Sequence, residues 1–246
     1  MQKILDIKNL SNSFLFNNLS LTVYHGDFIS ISGSSSCGKT TLLRTIMQYI
    51  PYKGIINKDE NLTISYIDES IIMKTPYKNM MEAFLSCTTK IGMIKNVAKE
   101  YHIDEIINKD FTLLTNQELI KYQLALSELK EIKLLLLDDI FLTFSEEEKL
   151  YFLRLFEEKC HTGSLTVILA TTSLFETLYS NYLYIMQEGK FILEGIPNLV
   201  YAEDHTLVKL GINNSFYVDL SLKLKFYEVI NEIYNDEEQL MEALWK

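Results

Sequence analysis

The sequence predicts an α/β protein with a largely parallel sheet, a helical insertion and a short helical tail. Three observations carry this. Residues 134–137 (LLLL) and 165–170 (LTVILA) are apolar runs of the kind buried on both faces of a parallel sheet. Residues 28–32 (FISIS) form a strand that ends at Gly33 and gives way to a helix near Lys39. From Pro76 to about Leu129 strand character largely disappears.

The elements follow in order. Residues 3–7 and 19–23 alternate as strands. After Lys39, Leu42, Leu43, Ile46, Met47 and Ile50 repeat at helical spacing until Pro51 stops them. Residues 64–67 form a short strand. Met80, Met81, Phe84 and Leu85 mark one helix, and residues 119–129 another. Residues 146–159 are helical, with Leu150, Leu153 and Phe156 on one side. Residues 183–186 and 190–193 flank Gly189 as a hairpin. Asp236 is placed to cap a final helix whose Leu240, Met241, Leu244 and Trp245 form an apolar stripe, expected to pack on the protein's own core.

Residues 33–40 read GSSSCGKT. Two glycines, a lysine and a hydroxyl stand at the spacing of a phosphate-binding loop, which chance supplies on the order of once in a hundred such chains. The chemistry explains the residue types. Gly33 and Gly38 let the backbone turn, so that the N–H groups of Ser34, Ser35, Ser36 and Cys37 converge on phosphate oxygens. The helix N-terminus behind them adds partial positive charge. Lys39 is the point charge for β- and γ-phosphates, Thr40 the hydroxyl for magnesium, and Thr41 continues the first turn. Cys37 is either a reactive thiol near a helix N-terminus or a small filler. Asp138, ending the buried run 134–137, is the expected second metal-binding group. The fold class is thus a P-loop nucleoside triphosphate-binding α/β protein.

Composition bounds the rest. The chain has 246 residues and a formal net charge of −10. An acidic chain argues against a nucleic-acid partner, since phosphate backbones need a basic surface. No apolar run reaches the roughly 20 residues that span a bilayer, and no secretory signal is evident at the N-terminus. Cys37, Cys87 and Cys160 are scattered, which fits a reducing compartment. His25, His102, His161 and His205 have no metal-ligand spacing.

The order and spacing of these motifs resemble the ATP-binding subunits of ABC transporters. The phosphate loop is followed by a strand, a helical insertion and a signature-like segment, Leu114-Thr115-Asn116-Gln117-Glu118. Asp138 comes next, then a buried strand ending in Ala170-Thr171-Thr172, and a hairpin Met186-Gln187-Glu188-Gly189-Lys190. Leu210-Gly211-Ile212 and the acidic helix at 237–244 resemble the C-terminal extension of energy-coupling factor (ECF) transporter ATPases, importers of vitamins and metal ions.

The resemblance implies an ABC ATPase fold: a mixed sheet core, an antiparallel β part and a helical subdomain at about 76–130. An ATP-binding domain would span 1–200 and a C-terminal extension for dimerisation 201–246. It further implies ATP and Mg2+ as cofactors. A second ATPase subunit, a transmembrane scaffold protein and a substrate-binding membrane component would be partners, at the cytoplasmic face of the membrane. Phe14 would stack on adenine, its other reading being a core phenylalanine. Catalytic roles fall to Asp139, Glu69 and Thr172, where the family has a glutamate, a glutamine and a histidine. Asn116 and Gln117 replace the two signature glycines, and Ser145 replaces an aspartate. Binding residues are therefore kept while hydrolysis residues are altered. Three readings follow: an importer ATPase, a nucleotide-gated scaffold with little turnover, or a non-transport relative acting on DNA or ribosomes, which the net charge of −10 weighs against.

Overall fold

The computed structural model describes residues 2–12, 15–69, 75–212, 214–234 and 237–245. Two sheets organise it. The N-terminal half supplies β1 (Lys3–Ser11), β2 (Leu19–Tyr24), β3 (Phe28–Ser32), α1 (Lys39–Ile46), β4 (Lys53–Lys58) and β5 (Ile64–Asp68). The helical segment holds α2 (Met80–Cys87), α3 (Ile91–Glu100) and α4 (Asn116–Leu129). Then come β6 (Leu134–Asp138), α5 (Glu146–His161), β7 (Thr166–Thr171), β8 (Tyr182–Gln187) and β9 (Lys190–Gly195). Four short helices follow: α6 (Pro197–Tyr201), α7 (Asp204–Lys209), α8 (Phe216–Phe226) and α9 (Glu237–Leu244).

The main sheet has the order β5-β6-β7-β3-β8-β9, parallel except for the β8–β9 hairpin. The second sheet is antiparallel, β2-β1-β4. β3, β6 and β7 are buried at every residue, as expected for strands covered on both faces. One face packs on α1 and the antiparallel sheet, through Ile29, Ile31, Leu42, Leu43, Leu134 and Leu136. The other packs on α5 and the helical segment, where Phe141, Phe144, Phe152 and Phe156 form edge and tilted ring contacts.

Three departures from the sequence pattern have physical causes. α1 stops at Ile46 rather than running to Ile50. Gln48 takes the left-handed φ of 62°, and the amides of Gln48 and Tyr49 turn back to the carbonyls of Thr45 and Arg44. This doubled capping closes the helix ahead of Pro51. β4 carries no clear alternation because it is a half-exposed edge. In α9 only Leu240 is buried, while Met241, Leu244 and Trp245 are exposed, so the predicted stripe does not pack inward. Asp236, its expected cap, lies outside the described residues.

Candidate functional site

The site forms where β3, β6 and β7 end together. Their parallel register aligns Ser32 with Thr171, and Asp138 with Ala170. The loop from Gly33 leaves this edge and returns as α1. Ser34, Ser35 and Ser36 are exposed along it, while Cys37, Gly38 and Lys39 are buried. Two positions admit only glycine. A side chain at Gly33 would stand 2.2 Å from the Met186 carbonyl oxygen. Gly38, the N-cap of α1, has φ 121°, a backbone open to glycine. The Gly189 amide donates to the Cys37 carbonyl at 2.9 Å, so the β8–β9 turn braces the loop from behind. Cys37 packs in the apolar cluster under α1, which fits the filler reading.

Lys39 lies at the centre. Its ammonium donates to the carbonyls of Gly33 at 2.8 Å and Ser34 at 3.1 Å. Thr40, half-exposed on the first turn of α1, donates through Oγ1 to Asp138 Oδ1 at 3.0 Å. Thr41 follows, its carbonyl accepting from Thr45 Oγ1 at 2.7 Å. The other Asp138 oxygen accepts from the Tyr66 hydroxyl at 2.7 Å. Burial pushes the Asp138 carboxyl above the usual carboxylate range, against the pull of the Tyr66 and Thr40 hydrogen bonds. Burial likewise pushes the Tyr66 phenol far up, so it stays a donor.

Asp139 is the next residue and points elsewhere. It has the left-handed φ of 49°, and its amide donates to the Ala170 carbonyl at 2.9 Å. Its Oδ1 accepts from the Thr172 amide at 3.1 Å, joining the β6 and β7 ends. The Thr172 side chain is exposed. Beneath it, Thr171 Oγ1 donates to Glu176 at 2.6 Å, and Lys149 of α5 pairs with Glu176 at 3.2 Å. Glu69, one residue past β5, is exposed and stands apart from these bonds. Phe14 lies outside the described residues.

The signature-like segment starts α4. Thr115 is its N-cap: the Glu118 amide donates to Thr115 Oγ1, and the Thr115 amide to Glu118 Oε2 at 2.7 Å. Gln117 and Lys121 both reach Glu148, which also caps α5 through Ser145. Burial favours a raised Glu148 carboxyl, but the Lys121 and Gln117 bonds outweigh it and hold it low. Replacing Thr115 with alanine removes this reciprocal cap. It should cost about 1 kcal/mol, a fall in Tm of roughly 2–4 °C measurable by scanning calorimetry.

Tyr66, Arg44, Glu148 and Glu176 were not evident as site residues from the sequence. The signal for Tyr66 is parity. Tyr66 pairs with Leu136 in parallel register, and Leu136 shares a strand face with Asp138. That inference requires the register, which sequence periodicity does not supply.

The residues fit a magnesium nucleotide. The loop backbone is held open by glycines where a Cβ would collide, and a buried ammonium sits inside it. A hydroxyl and a carboxylate with oxygen donors suited to a hard cation stand beside it. Lys39 would contact the phosphates, and Thr40 and Asp138 would hold the metal. Bound there, magnesium would neutralise charge on the β- and γ-phosphate oxygens.

A parallel-sheet α/β fold with this loop defines a nucleoside triphosphate-binding protein. A family model described as ABC transporter matches residues 16–141, just over half of the chain, and the chain belongs to that family. It is an ATPase of ABC-transporter type, the ATP-binding subunit of such a transporter. Similar relatives include the energy-coupling factor transporter ATP-binding protein EcfA of Pediococcus pentosaceus, 23% identical over 89% of this chain and 88% of that protein. The zinc import ATP-binding protein ZnuC of Ehrlichia canis is 25% identical over 83% of this chain and 88% of its own length. The structure of cbiO1 from Clostridium perfringens, part of the ABC transporter complex cbiONQ, superimposes with a TM-score of 0.69 at 19% identity, covering 87% of this chain and 96% of cbiO1. An ATP-binding cassette solved in its ADP conformation gives 0.70 at 16% identity, over 87% of this chain and all of that one. These structures show the shared ABC ATPase fold. Among the described residues no helix is long and apolar enough to cross a membrane.

Proposed function

We propose that this chain is the ATPase subunit of an importer of the energy-coupling factor class, binding ATP with Mg2+ and coupling the nucleotide cycle to membrane transport. The contact that carries the reading is the 3.0 Å hydrogen bond from Thr40 to Asp138 beside the Lys39 cradle. It sets a hydroxyl and a carboxylate, oxygen donors suited to magnesium, from distant parts of the chain against each other. The similarity to EcfA over nearly the whole chain supports the importer class. In this reading residues 1–200 form the ATP-binding domain, with a helical subdomain at about 76–130, and 201–246 form a C-terminal extension. The chain works at the cytoplasmic face of the membrane. It pairs with a second ATPase subunit, identical or not, beneath a transmembrane scaffold protein and a substrate-binding membrane component. ATP closes the pair by binding the closed state more tightly.

A second reading is a nucleotide-gated scaffold with little turnover. The bond from the Thr172 amide to Asp139 favours it, because it draws the carboxylate towards the protein rather than a water. Sedimentation of the purified chain, alone and with the second ATPase, tests both. Magnesium ATP should convert it to a dimer that co-purifies with the membrane component from detergent extracts. A chain that stays monomeric with nucleotide and associates with no membrane component would refute the importer reading. Dimerisation without steady-state hydrolysis would select the scaffold.

A further inference from the structure

We propose that Tyr66 is a positioning residue for the magnesium site. Its hydroxyl fixes the Asp138 carboxylate so that the oxygen facing Thr40 is presented to the metal. The inference rests on Thr40 and Asp138 being the metal-holding pair.

The hydrogen-bond directions are forced. A phenol has one proton to give and lone pairs to receive. Arg44 can only donate, and its Nε lies 3.3 Å from the Tyr66 oxygen. Arg44 therefore occupies a lone pair of Tyr66, and the phenolic proton is directed to Asp138 Oδ2 at 2.7 Å. Arg44 is itself tied to Asp68 at 3.4 Å, two residues along the same strand as Tyr66. The two carboxylate oxygens of Asp138 are thereby made unequal. Oδ2 is held by a donor anchored on β5. Oδ1 faces Thr40, whose hydroxyl can turn a lone pair towards a cation.

Magnesium tolerates little departure from octahedral geometry. A carboxylate free to swing about its Cβ–Cγ bond would lose much of its affinity in being ordered. Groups that orient a metal ligand in this way typically contribute 10- to 100-fold in metal affinity. Tyr66 supplies that orientation from the strand that leads into Glu69, without touching the metal itself.

The variant Tyr66→Phe keeps the ring, and with it the edge contact to Tyr49 at 6.4 Å, and removes only the hydroxyl. Mn2+ is the probe, titrated into ATP-saturated protein while the free-ion resonance is followed. Metal-free ATP affinity is measured separately by calorimetry in chelator. The expected result is about a tenfold loss of Mn2+ affinity with metal-free ATP affinity held within about twofold. Equal Mn2+ affinity in Tyr66→Phe and wild type would overturn the proposal. Wild-type protein whose ATP-bound form holds Mn2+ no better than ATP in solution would overturn the Thr40–Asp138 assignment, and the inference with it. Should Tyr66→Phe not fold, Arg44→Met carries the same test from a partly exposed position. It should lose about threefold in Mn2+ affinity, and an unchanged affinity would again overturn the proposal.

Discussion

Replacing Lys39 with alanine should lower the affinity for magnesium ATP by at least about a hundredfold, read by calorimetric titration. The side chain is only 4% exposed, so its ammonium is not a solvated surface charge. It is held by two loop carbonyls, Gly33 at 2.8 Å and Ser34 at 3.1 Å, and this places the charge inside the curve of the loop before any phosphate arrives. Charge-assisted hydrogen bonds contribute about 1.5–3 kcal/mol each, and truncating one partner of a buried charged contact costs about 2–5 kcal/mol. Alanine would remove the proposed phosphate contact and also free the two carbonyls that curl the loop. The fold should survive, because Cys37 and the Gly189 amide hold the loop from behind. Binding within about threefold of wild type, in a variant with an unchanged melting curve, would show that the loop is not the nucleotide site.

The loop was legible because its chemistry is local. GSSSCGKT between a strand and a helix needs no knowledge of the rest of the chain, and Asp138 is marked by the aliphatic run before it. The core strands were legible for the same reason, since burial on both faces leaves polar residues only at the ends of β6 and β7. What the sequence hid depends on tertiary placement. β4 pairs at an edge, so its residues alternate only weakly between buried and exposed. α3 holds Ile94, Val97 and Ala98 against the core over only ten residues, and it has no side-chain cap to announce it. Tyr66 and Arg44 reach Asp138 across a strand register. Glu148 collects Gln117, Lys121 and Ser145 from two helices far apart in sequence. The signature-like segment illustrates the difference. Its unusual residues Asn116 and Gln117 were visible, but not that Gln117 is tied to Glu148 of α5, the helix capped by Ser145.

Asp139→Glu should raise steady-state ATP turnover by about tenfold or more, measured on the chain with the proposed second ATPase and with Lys39→Ala as the blank. The reason is reach. The Asp139 carboxylate extends only as far as the Thr172 amide, 3.1 Å away, and its own amide is tied to the Ala170 carbonyl. A carboxylate used in this way steadies the β6–β7 junction but is short for polarising a water beyond it. One added methylene moves the acid outward by roughly 1 Å, the scale on which misplacement at a reacting centre changes rates about a hundredfold. The gain should carry a stability cost. Residue 139 has a φ of 49°, which aspartate tolerates better than glutamate, and the bond to Thr172 would be lost. A fall of about 1 kcal/mol, or roughly 2–4 °C in Tm, is expected alongside the faster turnover. Faster turnover at lower stability would mean that the short acid favours a steady junction over reaction rate. Unchanged turnover would move the limit to the exposed Thr172 or to the side chains of Asn116 and Gln117. In that case restoring the acid alone could not rebuild a site that needs a charge-stabilising partner opposite it.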